Sequence, residues 1–281
     1  MKSYLECIPC FFHQALRASR IATDDEKLHK QVLDELGALV SEMSLEITPP
    51  ETGRLVYRKV MEVTGNPDPF RELKRESTRE AFARYSAVKA EIEGSDDKLF
   101  TAIRYAIAGN IIDFGPTGSF DIDATLEQVK HQDLAISDYP AFRDRLSAVS
   151  RVLYIGDNAG ETVFDRLLIE VLGKEVTYVV RDSPIINDAT AEDAVEAGLD
   201  EVATIVSSGS DAPGTILRLC SEDFRRRLDE SEFTLAKGQG NYESLSGDSH
   251  EIFFLLKAKC SIIAADLGVA QGDVVLKGIN L

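Results

Sequence analysis

From Arg151 onward, short β-branched and aromatic runs alternate with helix-periodic stretches, and this alternation restricts the chain to an α/β sheet. Arg151-Val152-Leu153-Tyr154-Ile155 and Glu175-Val176-Thr177-Tyr178-Val179-Val180 are continuous runs of the kind that strands show when both faces are covered. Between them Val163, Leu167, Leu168 and Val171 recur at helical spacing over 162–172, which makes a βαβ unit. Further strand-like runs lie at 202–206, 232–236, 252–256 and 274–276. Before residue 150 the pattern is helical instead. Apolar stripes run through Phe11, Phe12, Ala15 and Leu16, through Leu28, Val32, Leu36 and Leu39, and through Leu99, Ile103, Ala106 and Ile107. Turn signals at Thr48-Pro49-Pro50, Gly65-Asn66-Pro67 and Glu93-Gly94-Ser95 cut this half into about five or six helices. The expectation is a helical N-terminal part (1–148) packed on a three-layer, Rossmann-like α/β part with a mainly parallel sheet (149–281). The charged stretch from Arg71 to Arg84 reads as the solvated face of a helix.

Ligands of such sheets gather at the carboxyl ends of the strands. Two polar segments stand there. Gly156-Asp157-Asn158-Ala159-Gly160-Glu161 follows the first strand, and Ser183-Pro184-Ile185-Ile186-Asn187-Asp188 follows the second. Asp157, Asn158 and Asp188 offer hard oxygen ligands that suit Mg or Mn and leave positions for water or a phosphate. The plainer reading is that these residues make turns and cap the next helix. Three more segments sit at strand ends: the loop Ser207 to Thr215, which lacks a P-loop lysine; Lys237-Gly238-Gln239-Gly240-Asn241-Tyr242-Glu243; and Lys257. Lys237 and Lys257 on the edge that carries the acids make a candidate phosphate clamp, although a lysine at a strand end is ordinarily solvated. Asn110 and Asp113, in an apolar context, are candidates for supporting hydrogen bonds or merely for a helix terminus.

Composition narrows the partners. A net charge of -17 leaves no basic footprint for nucleic acid or anionic membrane, so an anionic substrate must be met by local cations or a metal. No run approaches the ~18 apolar residues of a membrane span, and the first residues lack a signal-peptide core, so the expected compartment is the cytoplasm. Cys7 and Cys10 form a C-x2-C that His13 extends, open to a structural, zinc or redox role, while Cys220 and Cys260 stand alone. Thiolates select soft ions, so Cys7 and Cys10 are expected outside a hard-ion centre.

Taken together, Cys7-Ile8-Pro9-Cys10, Gly109-Asn110-x-x-Asp113, Gly156-Asp157-Asn158-Ala159-Gly160-Glu161, Asn187-Asp188, Lys237-Gly238-x-x-Asn241-Tyr242 and Leu256-Lys257-Ala258 resemble the damage-control phosphatase family over nearly the whole chain. The N-terminal C-x2-C resembles its subfamily I. The resemblance implies a metal-dependent phosphatase acting on small phosphorylated metabolites, with Mn, Ni, Mg or Co on Asp157, Asn158 and Asp188. It further implies catalysis by Asp157, Asn158 and Lys257, substrate contacts near Gln239 to Glu243, and supporting roles for Asn110, Asp113 and Glu161. The family's sugar-phosphate branch carries Arg-Thr-x-Lys where this chain has Phe254-Leu255-Leu256-Lys257, and an arginine where Glu243 stands. Losing two cations points away from sugar phosphates and toward nucleotide-related compounds. Asp157 is expected to be a ligand rather than a nucleophile, because no Asp-x-Asp pair is present there. Two rival readings are a carboxyl methyltransferase using S-adenosylmethionine, for which Gly156-x-x-x-Gly160 is a weak loop, and a non-catalytic nucleotide or redox sensor.

Overall fold

The computed structural model describes residues 1–109 and 122–281. The expected Asn110 and Asp113 lie outside the described residues. The α/β half folds as its periodicity requires: β2 (Arg151–Ile155), α8 (Thr162–Leu172) and β3 (Glu175–Val180) form the first βαβ unit. They are followed by α9 (Ala191–Glu196), β4 (Thr204–Ser207), α10 (Glu222–Asp229), β5 (Thr234–Lys237), α11 (Gly238–Leu245), β6 (Ile252–Lys257), α12 (Ser261–Leu267) and β7 (Val274–Ile279). Strands β2 to β6 pair in parallel, and β7 returns antiparallel along β6 with Leu256 opposite Val275.

Alternate residues of β2 explain the three layers. Val152 and Tyr154 enter one core and Leu153 and Ile155 the other, so each face of the strand is buried. The second core is closed by Phe224 and Leu228 of α10, Tyr242 and Leu245 of α11, and Ile263 and Leu267 of α12.

The first half supplies α1 (Cys7–Ala22), α2 (Glu26–Val40), α3 (Pro49–Thr64), α4 (Arg71–Gly94), α5 (Lys98–Gly109), α6 (Ile122–His131) and α7 (Tyr139–Ala148), more helices than the turn signals suggest. It also supplies β1 (Ile136–Ser137), which pairs parallel with β7 at the sheet edge, Ile136 opposite Val275. The expected boundary at 148 is therefore crossed by the sheet itself. Packing crosses it too. Ala81 and Val88 of α4, Ile103 and Ile107 of α5 and Phe142 of α7 share one core with β2 and β3, whereas α1, α2 and α3 pack on each other and on Ile185. The charged stretch from Arg71 is helical, but its inner face is not solvated: Lys74 is buried between Asp193 at 3.0 Å and Asp68 at 3.4 Å.

Candidate active site

The strand order β1-β7-β6-β5-β2-β3-β4 reverses direction at β2, with later strands adding on both sides of it. The crevice outside β2 and β5 is thus the switch point at which doubly wound sheets bind ligands. Gly156 continues β2 against Tyr178, whose hydroxyl occupies the space of a Cβ, so this close approach requires glycine. Asp157 and Asn158 follow. The segment after β3 folds back on them: Ala189 N–H donates to the Asp157 carbonyl at 2.7 Å and Ala159 N–H to the Asn187 carbonyl at 2.8 Å. An antiparallel bridge pairs Asn158 with Asp188, so the expected trio meets on one edge. Ile186, with φ of 48°, makes the tight return that places Asp188.

Each member of the trio is braced. Arg181, fully buried at the end of β3, donates from Nε to Asp188 at 2.8 Å, from Nη1 to Thr215 at 3.2 Å and from Nη2 to Asn241 at 3.0 Å. The Asn158 amide nitrogen donates to Asp157 at 3.2 Å and to Glu161. Burial first, then the charges of Glu161 and Asp188, push the Asp157 carboxyl up to about 8, against the opposing pull of Lys259 and Arg181. Burial likewise raises Asp188, with Arg181 opposing.

Lys237 departs from its expected place. Its ammonium is fully buried and donates to Glu161 at 2.8 Å and Asp165 at 2.7 Å, so it faces the protein interior and cannot clamp phosphate. Asp165 also accepts from the Tyr154 and Tyr178 hydroxyls, both at 2.7 Å. A buried acid on an apolar helix stripe was the signal for this network, since Asp165 stands four residues after Glu161 on α8's inner face. Asn241 is equally committed: its amide nitrogen donates to the carbonyls of Gly156 at 3.0 Å and Lys237 at 2.7 Å, and its oxygen accepts from Arg181 and Thr215. Tyr242 packs edge-on against Phe254 and donates to Asp266 at 2.8 Å, away from the crevice. These three were expected to contact substrate, and their buried partners exclude it. Gly238, with φ of 80°, and Gly240, under Pro213, shape the turn into α11.

Lys257 ends β6 half-buried and without an ion pair among the described residues; burial and the neighbouring Lys259 lower its pKa. Lys259, whose charge acts on Asp157, was missed because nothing in Lys257-Ala258-Lys259 distinguishes the two ammonium groups. The loop after β4 binds α3 through Asp211, paired with Arg54 and with Arg58 at 2.7 Å, so it ties that helix to the sheet. Beside the crevice a cavity of about 230 Å³ opens between α1, α3 and the strand ends. Gln239, Glu243, Cys260 and Ile186 line it from one side, Cys7, Cys10 and Phe11 from the other. The cysteines are free thiols, and burial raises those of Cys7 and Cys10. No helix among the described residues is long and apolar enough to cross a membrane.

Comparison with known proteins converges on one family. The damage-control phosphatase ARMT1-like domain profile matches residues 3–275. An uncharacterized protein of Methanocaldococcus jannaschii is 35% identical, covering 96% of this chain and 93% of its own length. A protein named damage-control phosphatase from Archaeoglobus fulgidus is 35% identical, with 98% of each chain covered. The crystal structure of a DUF89 family protein from Pyrococcus horikoshii superposes with a TM-score of 0.88 at 34% identity over 98% of both chains. A profile that spans almost the entire sequence and relatives similar along their full length leave no part of the fold unaccounted for: the chain belongs to the damage-control phosphatase ARMT1-like domain family.

Proposed function

We propose that this protein is a metal-dependent phosphatase that hydrolyses phosphate monoesters of small, nucleotide-related metabolites, with the ion held by Asp157, Asn158 and Asp188. The observation that carries this reading is the Asn158–Asp188 bridge, which sets two carboxylates and a carboxamide side by side at the switch point. Among the described residues no group of three His, Cys, Asp or Glu is placed to hold an ion, so the set rests on Asn158 as its third member. The donors fit a hard cation. Asp157 held near 8 fits as well, because two buried carboxylates in mutual repulsion are what a divalent ion relieves. Mn, Ni, Mg or Co bound there offsets the charge of the phosphate dianion and polarises the phosphoryl group and a water.

The chain's own residues do the rest. Arg181 and Glu161 fix Asp188 and Asn158, so the donors are oriented before substrate arrives. Lys257, half-buried and without an ion pair among the described residues, is available to the equatorial oxygens as charge shifts to the leaving group. The family match and the Archaeoglobus fulgidus relative named damage-control phosphatase favour phosphoryl chemistry over methyl transfer or sensing.

The test is release of inorganic phosphate from p-nitrophenyl phosphate, with chelator and with each of the four ions. Hydrolysis is expected to vanish with chelator, to return with at least one ion, and to be absent in Asp157→Ala together with a weakened calorimetric metal affinity. Chelator-resistant turnover, or metal affinity unchanged in Asp157→Ala, overturns the site.

A further inference from the structure

The cavity beside the crevice has a chemistry of its own. Its lining contains the thiols of Cys7, Cys10 and Cys260, the apolar side chains of Phe11, Ile186 and Ile262, and three prolines, but, among the described residues, neither lysine, arginine nor histidine. Its polar lining comprises the exposed Glu6 and Ser261, the half-buried Gln14 and one hydrogen-bonded pair. Gln239 donates from Nε2 to Glu243 Oε1 at 2.8 Å, and the Gln239 oxygen accepts from the Lys259 backbone N–H at 3.0 Å, so the carboxamide is fixed and Glu243 cannot turn away. Glu243 is buried, and its charge reaches both Cys7 and Cys10. Burial raises its carboxyl to about 7, so near neutrality it is shared between an acid that donates a hydrogen bond and a buried carboxylate. The Met1 ammonium, 2.9 Å from the Glu243 carbonyl oxygen, lies outside the lining, and with Gln239 it opposes the effect of burial on the Glu243 carboxyl.

Resting on the phosphatase reading, we propose that this cavity receives the leaving group of the ester and that Glu243 is a specificity-determining residue, restricting substrates to monophosphates whose leaving group carries no second anion. Three observations place the leaving group there. Gln239 lies in the first turn of α11, directly after β5, the strand beside β2, whose carboxyl end leads into Asp157. Ile186 lines the cavity two residues before Asp188. Lys259, hydrogen-bonded to Gln239, acts electrostatically on Asp157. A phosphate at the crevice therefore turns its alcohol toward a cationless, sulfur-rich pocket. A carboxylate or second phosphate on that alcohol would enter it unpaired beside Glu243, a costly arrangement in a partly desolvated site. An uncharged group fills the apolar walls and meets the Gln239–Glu243 pair through hydrogen bonds. Selection works by rejection here.

Two aryl phosphates of nearly equal shape separate the cases: p-carbamoylphenyl phosphate, with a neutral leaving group, and p-carboxyphenyl phosphate, with an anionic one. The wild type is expected to favour the carbamoyl ester by about tenfold or more in kcat/KM, and the isosteric Glu243→Gln to narrow that ratio to within about threefold, which cancels any intrinsic difference between the esters. Equal rates in the wild type, or a ratio unchanged in Glu243→Gln, overturn the proposal. Alkylation by iodoacetamide reads the same cavity without turnover. The p-hydroxybenzamide product should slow modification of Cys7, Cys10 and Cys260, p-hydroxybenzoate should not, and the buried Cys220 serves as the internal reference. If neither ester is hydrolysed, the phosphatase reading fails; if neither phenol, or both equally, protects the thiols, the cavity assignment fails.

Discussion

At the level of single residues the chain separates two lysines that composition treats alike. Lys237 is sealed between Glu161 and Asp165, and Lys257 is half-exposed at the crevice rim without an ion pair among the described residues. Lys237→Met should therefore cost about 3–5 kcal/mol of unfolding free energy, since removing one partner leaves two carboxylates buried and uncompensated. Lys257→Met should leave the denaturation midpoint unchanged and lower turnover by about 10²-fold, as loss of one positioned charge does. Urea unfolding and steady-state kinetics on both variants check the pair, and a kinetic defect in Lys237→Met without loss of stability would contradict it. Sequence reasoning singled out Asp157, Asn158 and Asp188, which the fold brings to one edge, because strand-end polar residues announce themselves against apolar runs. It did not find Arg181, since one arginine after a strand carries no sign of being buried, and it passed over Asp165 although the apolar stripe of α8 marked that acid. It also put Lys237, Asn241 and Tyr242 on the wrong side of the backbone, because a motif gives spacing and not the direction of a side chain.

Among the elements, the crevice depends on how closely α4 approaches the turn after β2. Gly160 sits in that turn, and a Cβ on it would stand 2.7 Å from Ser77 Cβ on α4. Gly160→Ala is expected to destabilise the fold by about 1–3 kcal/mol through overpacking at this seam. Ser77→Gly removes the opposing atom, so the double variant should recover part of the loss, with a coupling of about 1 kcal/mol in a thermodynamic cycle. Strictly additive effects would mean that the helix and the turn do not touch as described. The strands β2 and β3 and helix α8 were legible to the residue, since each carries its periodicity over its full length. β1 was not, because Ile136–Ser137 is two residues long and is held by Val275 and Leu276, a pairing with no local signature.

For the molecule as a whole, burying acids makes stability depend on pH in an unusual sense. Asp157 is held near 8 and Glu243 near 7, both above their unfolded values, so the folded state retains protons that the unfolded chain has lost. Their contribution is fully present below about pH 4 and is lost as pH rises through those folded values. The metal-free protein should accordingly melt at a lower temperature at pH 8.5 than at pH 6, and Asp157→Asn should flatten that dependence. An added divalent ion should raise the melting temperature most at the upper end, where Asp157 need release no proton. Calorimetric scans across the range decide it, and a pH trend identical in wild type and Asp157→Asn would remove Asp157 as its source. The α/β class was readable from alternation alone, whereas the way α4, α5 and α7 share the sheet's core with the second half emerges only from packing. The edge made by β1, β7 and β6 bears on how the protein is made. About half the chain separates Ile136 from Val275, and the apolar run Ile252-Phe253-Phe254-Leu255-Leu256 of β6 is synthesised before β7 can cover its flank. At the pace of translation β1 waits on the order of ten seconds for its partner. During that wait the ribosome carries an open strand edge, and the nascent chain is where this fold is most exposed to pairing with its neighbours.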